Sequence, residues 1–149
     1  MKWTVSDIDM YEKEKQYIDT ALLPLIQLTL SNATKTAVAG GELVQLLASE
    51  VERQLKGRLF LLPPFTYFLT ETKEECVKRL NVWTDELKKS GMAHVFYLTS
   101  DRMWNETELG GKLFVLPSIP LEHMDEVYQQ QMVREQTSKL LSSFISHWT

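Results

Sequence analysis

The polar and aromatic side chains that could form a site follow the carboxyl ends of four predicted strands. They supply hydroxyl groups, one carboxylate, one guanidinium and aromatic rings, and the candidates for ligand binding are Gln27, Thr29, Tyr67, Asp101, Arg102 and Trp104. Such groups can recognise a small molecule or a peptide by hydrogen bonds and ring contacts. Because no nucleophile with a neighbouring base is visible among them, we predict no catalytic residue.

An enzyme whose residues converge only in three dimensions is the alternative interpretation. Its candidates are Tyr67, Asp101, Arg102 and His123, which would form a metal-free, hydrolase-like site. A shared open pocket favours this alternative, whereas a site filled by its own aromatic rings argues against it. Asp101 and Arg102 are also explained as a surface ion pair, which contributes about 0–1 kcal/mol.

The remaining reactive residue types are predicted to be structural. Cys76 lies on an apolar helical stripe and is expected to act as a small buried hydrophobe. His94, His123 and His147 are too scattered along the chain to indicate a metal site. The Gly40-Gly41 pair lacks the spacing of a phosphate-binding loop and predicts close helix packing instead. We therefore predict neither a metal nor another cofactor.

Composition restricts the classes of protein and partner. A chain of 149 residues with 44% hydrophobic and 24% charged residues is typical of one globular domain, predicted over residues 1–149. A net charge of -4 argues against a nucleic-acid partner. A single cysteine and a charged opening segment predict a cytoplasmic location. The longest apolar stretch contains Pro24 and is too short to insert into a membrane.

Four helices are expected from capping residues and apolar periodicity. A short helix follows Ser6, and a second one carries Val44, Leu47 and Val51 on one face and ends at Gly57. A third helix begins at the capping box of Thr72 and ends at Gly91. A long C-terminal helix follows Pro120, and its predicted apolar face consists of Tyr128, Met132, Leu140, Phe144 and Trp148.

Four strands alternate with these helices. The first covers residues 21–28, where Pro24 suits a strand start or an exposed edge, and the second is ended by Pro63-Pro64. The third and fourth are "AHVFYLT" and "KLFVLP". This order predicts an α/β fold, a three-layer α/β/α sandwich with a mostly parallel four-stranded sheet. Only residues 100–111 join the last two strands, so the direction of the fourth stays open.

The predicted fold places ligands in the crevice beyond the carboxyl ends of the strands. We therefore expect a non-catalytic cytoplasmic binding or accessory protein that uses this rim, or its C-terminal helix, to hold a protein partner or a small molecule. A homo-oligomer is the third possibility. In that case the aromatic face of "LLSSFISHWT" packs against a second copy of the chain, as in a homodimer.

Two resemblances extend this reading. "MKWTVSDIDMYEKEKQYIDTALLPLI" with "GELVQLLASEVERQLKGRLFLLPPFTYF" resembles a family of short uncharacterised proteins from Bacillus-type bacteria over nearly the whole chain, which implies no assigned activity. The order "LLPLIQLTLS", "LFLLPPFTYF" and "GMAHVFYLTSDRMW" is similar to the layout of creatininase-like amidohydrolases. Thr29 and Ser31 stand where that family has Glu and His, and Asp101-Arg102 where it has His-Gly. The resemblance thus implies the fold without the two-metal site.

Overall fold

The computed structural model describes all residues, 1–149, and has four α-helices and five strands. In chain order the elements are α1 (Val5–Lys13), β1 (Thr20–Leu28), α2 (Thr34–Gln54), β2 (Leu59–Leu61), β3 (Phe65–Phe68), α3 (Lys73–Lys89), β4 (His94–Thr99), β5 (Lys112–Val115) and α4 (Glu126–Trp148). Two short 3-10 turns, Glu106–Glu108 and Leu121–His123, flank β5.

The sheet is parallel throughout, with β1 and β4 at its centre. β4 pairs with β1 on one side and with β5 on the other, whereas β2 and β3 pair with successive halves of the opposite side of β1. The predicted α/β class and the predominantly parallel sheet are confirmed. The predicted count of four strands is corrected to five, because two short strands share one position, and the direction left open for the last strand is parallel.

The Pro63-Pro64 pair interrupts the second predicted strand but does not end it. Thr20 pairs with Leu59 and Leu25 pairs with Phe65, so the strand resumes after one extra residue, as in a β-bulge. Pro24 lies in the central strand, which corrects the prediction of an edge. It is tolerated there because it faces the interruption, where prolines on both strands lack the N–H that a ladder needs.

Alternating side chains of the strands form a core on each face of the sheet. α2 and α4 cover one face, where Leu22, Phe96 and Phe144 are among the wholly buried residues. α3 covers the other face over Tyr67 and Tyr97, and α1 covers the neighbouring corner. These two helical layers complete the three-layer sandwich that the sequence predicts.

Helix α2 crosses its face of the sheet obliquely. At one end a Cβ on Gly40 would lie 2.5 Å from Oγ of Ser100, and one on Gly41 would lie 2.9 Å from Cγ2 of Ile26. At the other end Glu52 meets Met1 beside the start of β2. The prediction of close helix packing at Gly40-Gly41 is confirmed, although the pair lies inside the helix. This course takes α2 over β1 and β2 and away from β3.

The ends of the helices agree only partly with the sequence. Thr72 caps α3 through its Oγ1, and Gly91 after the helix has a φ of 105°, as predicted. α4 begins at its cap Asp125 and not at Pro120. Of its predicted apolar face, Phe144 is buried in the core of its own chain whereas Tyr128 is 62% exposed, and the contact with a second copy stays a prediction. No helix combines the length and apolar character needed to cross a membrane.

Candidate functional site

Three of the predicted site residues join Tyr67 in one hydrogen-bonded cluster, which we call the carboxyl-end network. The hydroxyl of Tyr67 donates to Oδ2 of Asp101 at 2.6 Å, and Nε2 of Gln27 donates to the same oxygen at 3.3 Å. Nε1 of Trp104 donates to the Tyr67 oxygen at 3.0 Å. The backbone N–H of Met103 donates to Oδ1 of Asp101 at 3.0 Å. Both carboxylate oxygens therefore already accept hydrogen bonds from the protein itself.

Aromatic rings fill the space around this network. Tyr67 and Trp104 are buried, and their rings meet edge to face with centroids 5.1 Å apart. Phe65, which lies two residues before Tyr67 in β3, also packs edge to face against the ring of Trp104. Tyr67 belongs to β3, so its prediction as a residue beyond a strand end is corrected.

The environment of Tyr67 fixes its protonation state. Burial, followed by the hydrogen bond to the charged Asp101, raises the pKa of Tyr67 far above its ordinary value. The hydroxyl consequently stays protonated at neutral pH and acts as a donor to Asp101. A tyrosine held in this state binds and positions neighbouring groups but does not serve as a general base.

The other predicted residues do not join the network. Thr29 lies in the turn after β1, where its hydroxyl bonds to that of Ser31 at 2.8 Å. Arg102 is exposed and forms no ion pair with Asp101, so the predicted surface pair is wrong. His123 is also exposed and lies 3.8 Å from Glu122. Cys76 is buried as predicted, and burial raises its pKa.

A small recess lies between the carboxyl ends of β1 and β4. The connection from β1 leads to one side of the sheet and that from β4 to the other, so this is the switch point where α/β proteins commonly bind ligands. The recess encloses about 280 Å³ and is lined by Gln27, Ser100, Asp101 and Arg102 together with the first turns of α2. Nowhere in the chain do three His, Cys, Asp or Glu side chains form a group that could hold a metal ion.

A larger concave surface lies on the α2 face of the sheet, and we call it the apolar groove. It has a volume of about 860 Å³ between the end of β1, the end of β3 and the first half of α2. Its exposed apolar side chains are Leu28, Leu30, Val38, Leu46 and Phe68. Leu30 is 96% exposed, Val38 58% and Phe68 55%. A continuous patch of this kind is typical of an interaction surface.

Strand alternation and the course of α2 together create the apolar groove. Phe65 and Tyr67 point into the core under α3, which turns Thr66 and Phe68 to the opposite face. That face is left open beside β3 because α2 crosses toward β2. Gln27 and Thr29 are the predicted binding residues that line this surface, whereas its apolar side chains were not predicted to form one. The one available signal was Leu28, Leu30 and Phe68 standing as large apolar residues at strand ends.

Comparison with known proteins gives a family but no activity. Residues 9–148 match the family described as "Protein of unknown function (DUF2487)". The uncharacterized protein YpiF of Bacillus subtilis (strain 168) is 40% identical over 149 residues, which cover 100% of this chain and 99% of that protein. The resemblance to uncharacterised proteins of Bacillus-type bacteria is thus confirmed. No solved structure matches the chain, so the layout resemblance to creatininase-like amidohydrolases stays a prediction.

Proposed function

The chain belongs to the DUF2487 family, and we propose that it is a non-catalytic, cytoplasmic accessory protein that holds an apolar segment of a partner protein in the apolar groove. The observation that carries the proposal is the groove itself, in which five large apolar side chains line one open concavity. Water contact with such side chains is unfavourable, and a partner that covers them removes this cost.

The energy available from the groove supports a reversible complex. The exposed fractions of its five apolar side chains amount to about three complete side chains. Covering them contributes on the order of 4–9 kcal/mol. Association costs roughly 4–15 kcal/mol in lost translational and rotational freedom. The apolar contacts alone therefore do not give tight binding, and polar contacts at the margin are needed as well.

The carboxyl-end network supports a role without catalysis. Its tyrosine, carboxylate and indole groups hydrogen-bond to one another, and the rings of Phe65, Tyr67 and Trp104 pack around them, while the network borders the open recess through Gln27 and Asp101. A catalytic acid or base needs an unoccupied donor or acceptor position that points toward the reacting atoms. The network instead holds β3 and the loop after β4 together, and this fixes one wall of the groove.

Site-specific photocrosslinking in the native cell tests the proposal. A photoreactive amino acid replaces Val38 in the groove or, as the matched control, Val82 on α3. Both are helical valines with 58% exposure. We expect position 38, and not position 82, to crosslink one defined protein. The purified partner should then bind the wild-type chain and lose at least tenfold in affinity when Leu30 is replaced by Asp.

Three outcomes would contradict this function. The first is equal crosslinking from positions 38 and 82, which would indicate nonspecific contact. The second is a partner whose purified form binds the Leu30→Asp variant as tightly as the wild type. The third is a crosslink only to a second copy of the chain, which would assign the groove to a homo-oligomer. Far-UV circular dichroism and urea unfolding verify that each variant is folded.

A small-molecule binder is the second candidate, supported by the polar recess at the switch point. The indole N–H of Trp104 reports on this recess because it bonds to Tyr67, which bonds to Asp101. In ¹⁵N spectra, a compound that fills the recess should shift this indole signal in the wild type and not in an Arg102→Ala variant. A collection of small polar metabolites that leaves the signal in place would remove this candidate.

A further inference from the structure

We infer that the segment held in the apolar groove is an amphipathic α-helix that carries a basic residue opposite Glu42. This inference rests on the proposed function and specifies the partner. Four features of the chain support it: the missing helix on one face of the sheet, the size of the groove, the partly occupied strand edges, and the charge of Glu42.

The groove occupies the position of an absent helix. α4 and α2 lie side by side on one face of the sheet, and both contribute to its core. On the opposite face α1 covers Phe60 of β2 while α3 and its neighbours cover Phe65 and Tyr67 of β3. The corner formed by β3 and the end of β1 on the α2 face is open beside the first half of α2. A helix placed there would pack on the sheet and beside α2, as layers of α/β proteins do.

The dimensions of the groove fit a helix. Packed helices lie about 8–10 Å apart, and a helix with its side chains is roughly 10 Å across. At that width the 860 Å³ of the groove holds roughly two helical turns. The ridge of α2 that borders it presents Val38 and Leu46 with Glu42 between them, at the four-residue spacing over which helices interdigitate.

A partner strand is disfavoured because the edges of the sheet are already occupied. At the β2 edge, Leu59 and Leu61 hydrogen-bond to the backbone of Met1, with the N–H of Leu61 donating to the Met1 carbonyl at 2.7 Å. At the β3 edge, the N–H of Phe68 donates to Oε2 of Glu71 at 2.6 Å. Backbone groups that are already bonded within the chain make strand addition at these edges less favourable.

On the opposite edge, β5, one backbone donor is occupied in the same way. The N–H of Leu113 donates to Oε2 of Glu106 at 2.9 Å, and Lys112 pairs with Oε1 of the same carboxylate at 3.0 Å. Burial raises the pKa of Glu106, but these two contacts outweigh it and leave the pKa below its ordinary value. The carboxylate is therefore charged at neutral pH and continues to accept the hydrogen bond from the N–H of Leu113. We therefore expect the partner to bind through side-chain contacts and not by adding a strand to the sheet.

Glu42 gives the groove its charge preference. It is the one charged residue lining the groove, it is exposed, and it forms no ion pair with any side chain of this chain. Its neighbours one turn away, Val38 and Leu46, are uncharged. A carboxylate between two apolar side chains favours a partner with Lys or Arg beside its apolar stripe, and it disfavours an acidic one.

Designed peptides test both parts of the inference. The first probe is an acetylated, amidated 18-residue peptide of Leu, Ala and Lys with Leu at positions i, i+3, i+4 and i+7. The second replaces its lysines by Glu, and the third has the first composition with Leu at alternate positions. Each is titrated at low salt into protein with methyl labels at Val38, Leu28 and Leu30. The protein variants are Glu42→Lys, its charge-matched control Glu12→Lys on exposed α1, and Val38→Glu.

We expect the lysine helix to shift the groove methyls and to bind two- to fivefold more tightly than the glutamate helix. Glu42→Lys should reverse that order, whereas Glu12→Lys should preserve it. An alternating peptide that binds the groove equally well, or a lysine preference that survives in Glu42→Lys, would overturn the inference. If Val38→Glu still abolishes binding in those cases, the groove function stands. If Val38→Glu leaves every peptide bound, the proposed function fails as well.

Discussion

Replacing Tyr67 by Phe removes the hydroxyl group that joins Asp101 to Trp104, while keeping the buried ring. The lost hydrogen bond ends on a charged group and contributes about 1.5–3 kcal/mol. The indole N–H of buried Trp104 loses its acceptor at the same time, which adds about 1–3 kcal/mol. We therefore expect Tyr67→Phe to lower the free energy of unfolding by roughly 3–5 kcal/mol. For a chain of this length that lowers Tm by at least about 6 °C.

Urea unfolding followed by circular dichroism measures this loss, and Tyr128→Phe is the matched control. The Tyr128 side chain is 62% exposed, and its hydroxyl forms no hydrogen bond within the chain. Its replacement should change stability by less than about 0.5 kcal/mol. If Tyr67→Phe proved as stable as Tyr128→Phe, the carboxyl-end network would not stabilise the fold. Its role in fixing one wall of the groove would then be refuted.

Alkaline pH gives an independent check on the same residue. Burial and then Asp101 raise the pKa of Tyr67, so it stays neutral in the folded chain while tyrosine in the unfolded chain ionises near pH ~10. Its contribution to stability is complete below that pH and is lost as pH rises above it. Buried Tyr97, whose pKa is also raised mainly by burial, behaves similarly and is retained in the variant. Tyr67→Phe should consequently show a shallower alkaline loss than the wild type, and equal slopes would contradict the assignment.

Three further perturbations test the fold. Gly41→Ala brings a Cβ within 2.9 Å of Cγ2 of Ile26 and should lower the free energy of unfolding in urea by about 1–3 kcal/mol. Gly57→Ala, which has open space around it, should be neutral or slightly stabilising. Equal effects of the two substitutions would refute the close packing of α2. Glu52→Gln should cost roughly 3–5 kcal/mol because the buried carboxylate pairs at 2.8 Å with the terminal ammonium, and wild-type stability would contradict this. Burial raises the pKa of Asp19, but bonds from Arg58 and a neighbouring hydroxyl lower it overall, so its contribution is present above about pH 4 and lost as pH falls. Asp19→Asn should flatten the acid limb of the stability profile, and an unchanged acid limb would disprove the pairing.

Local signals in the sequence predicted much of the fold. Thr72 and Gly91 mark the ends of α3 through their own backbone and hydroxyl chemistry, which needs no knowledge of distant residues. Gly40-Gly41 predicted close packing because only a missing Cβ explains two adjacent glycines in that setting. The regular succession of strands and helices was sufficient for the three-layer architecture.

Nonlocal pairing determined what the sequence did not predict. Pro24 and Pro63-Pro64 each look like strand breakers alone, and their compatibility appears only when they face each other across the sheet. The carboxyl-end network was partly predicted, since Asp101 and Trp104 follow the end of β4 and Gln27 is the next-to-last residue of β1. Phe68 and Val38 form a groove only because α2 crosses the sheet obliquely. The crossing angle of a helix on a sheet cannot be predicted from a pattern of apolar residues.

The affinity of the purified partner for two variants tests the central claim most directly. Val38→Glu puts a charge into the apolar groove, and Val82→Glu puts the same charge on an equally exposed valine of α3. Isothermal titration should show at least tenfold weaker binding for Val38→Glu and wild-type affinity for Val82→Glu. Equal affinities for the two variants would place the partner elsewhere and contradict the assignment of the groove.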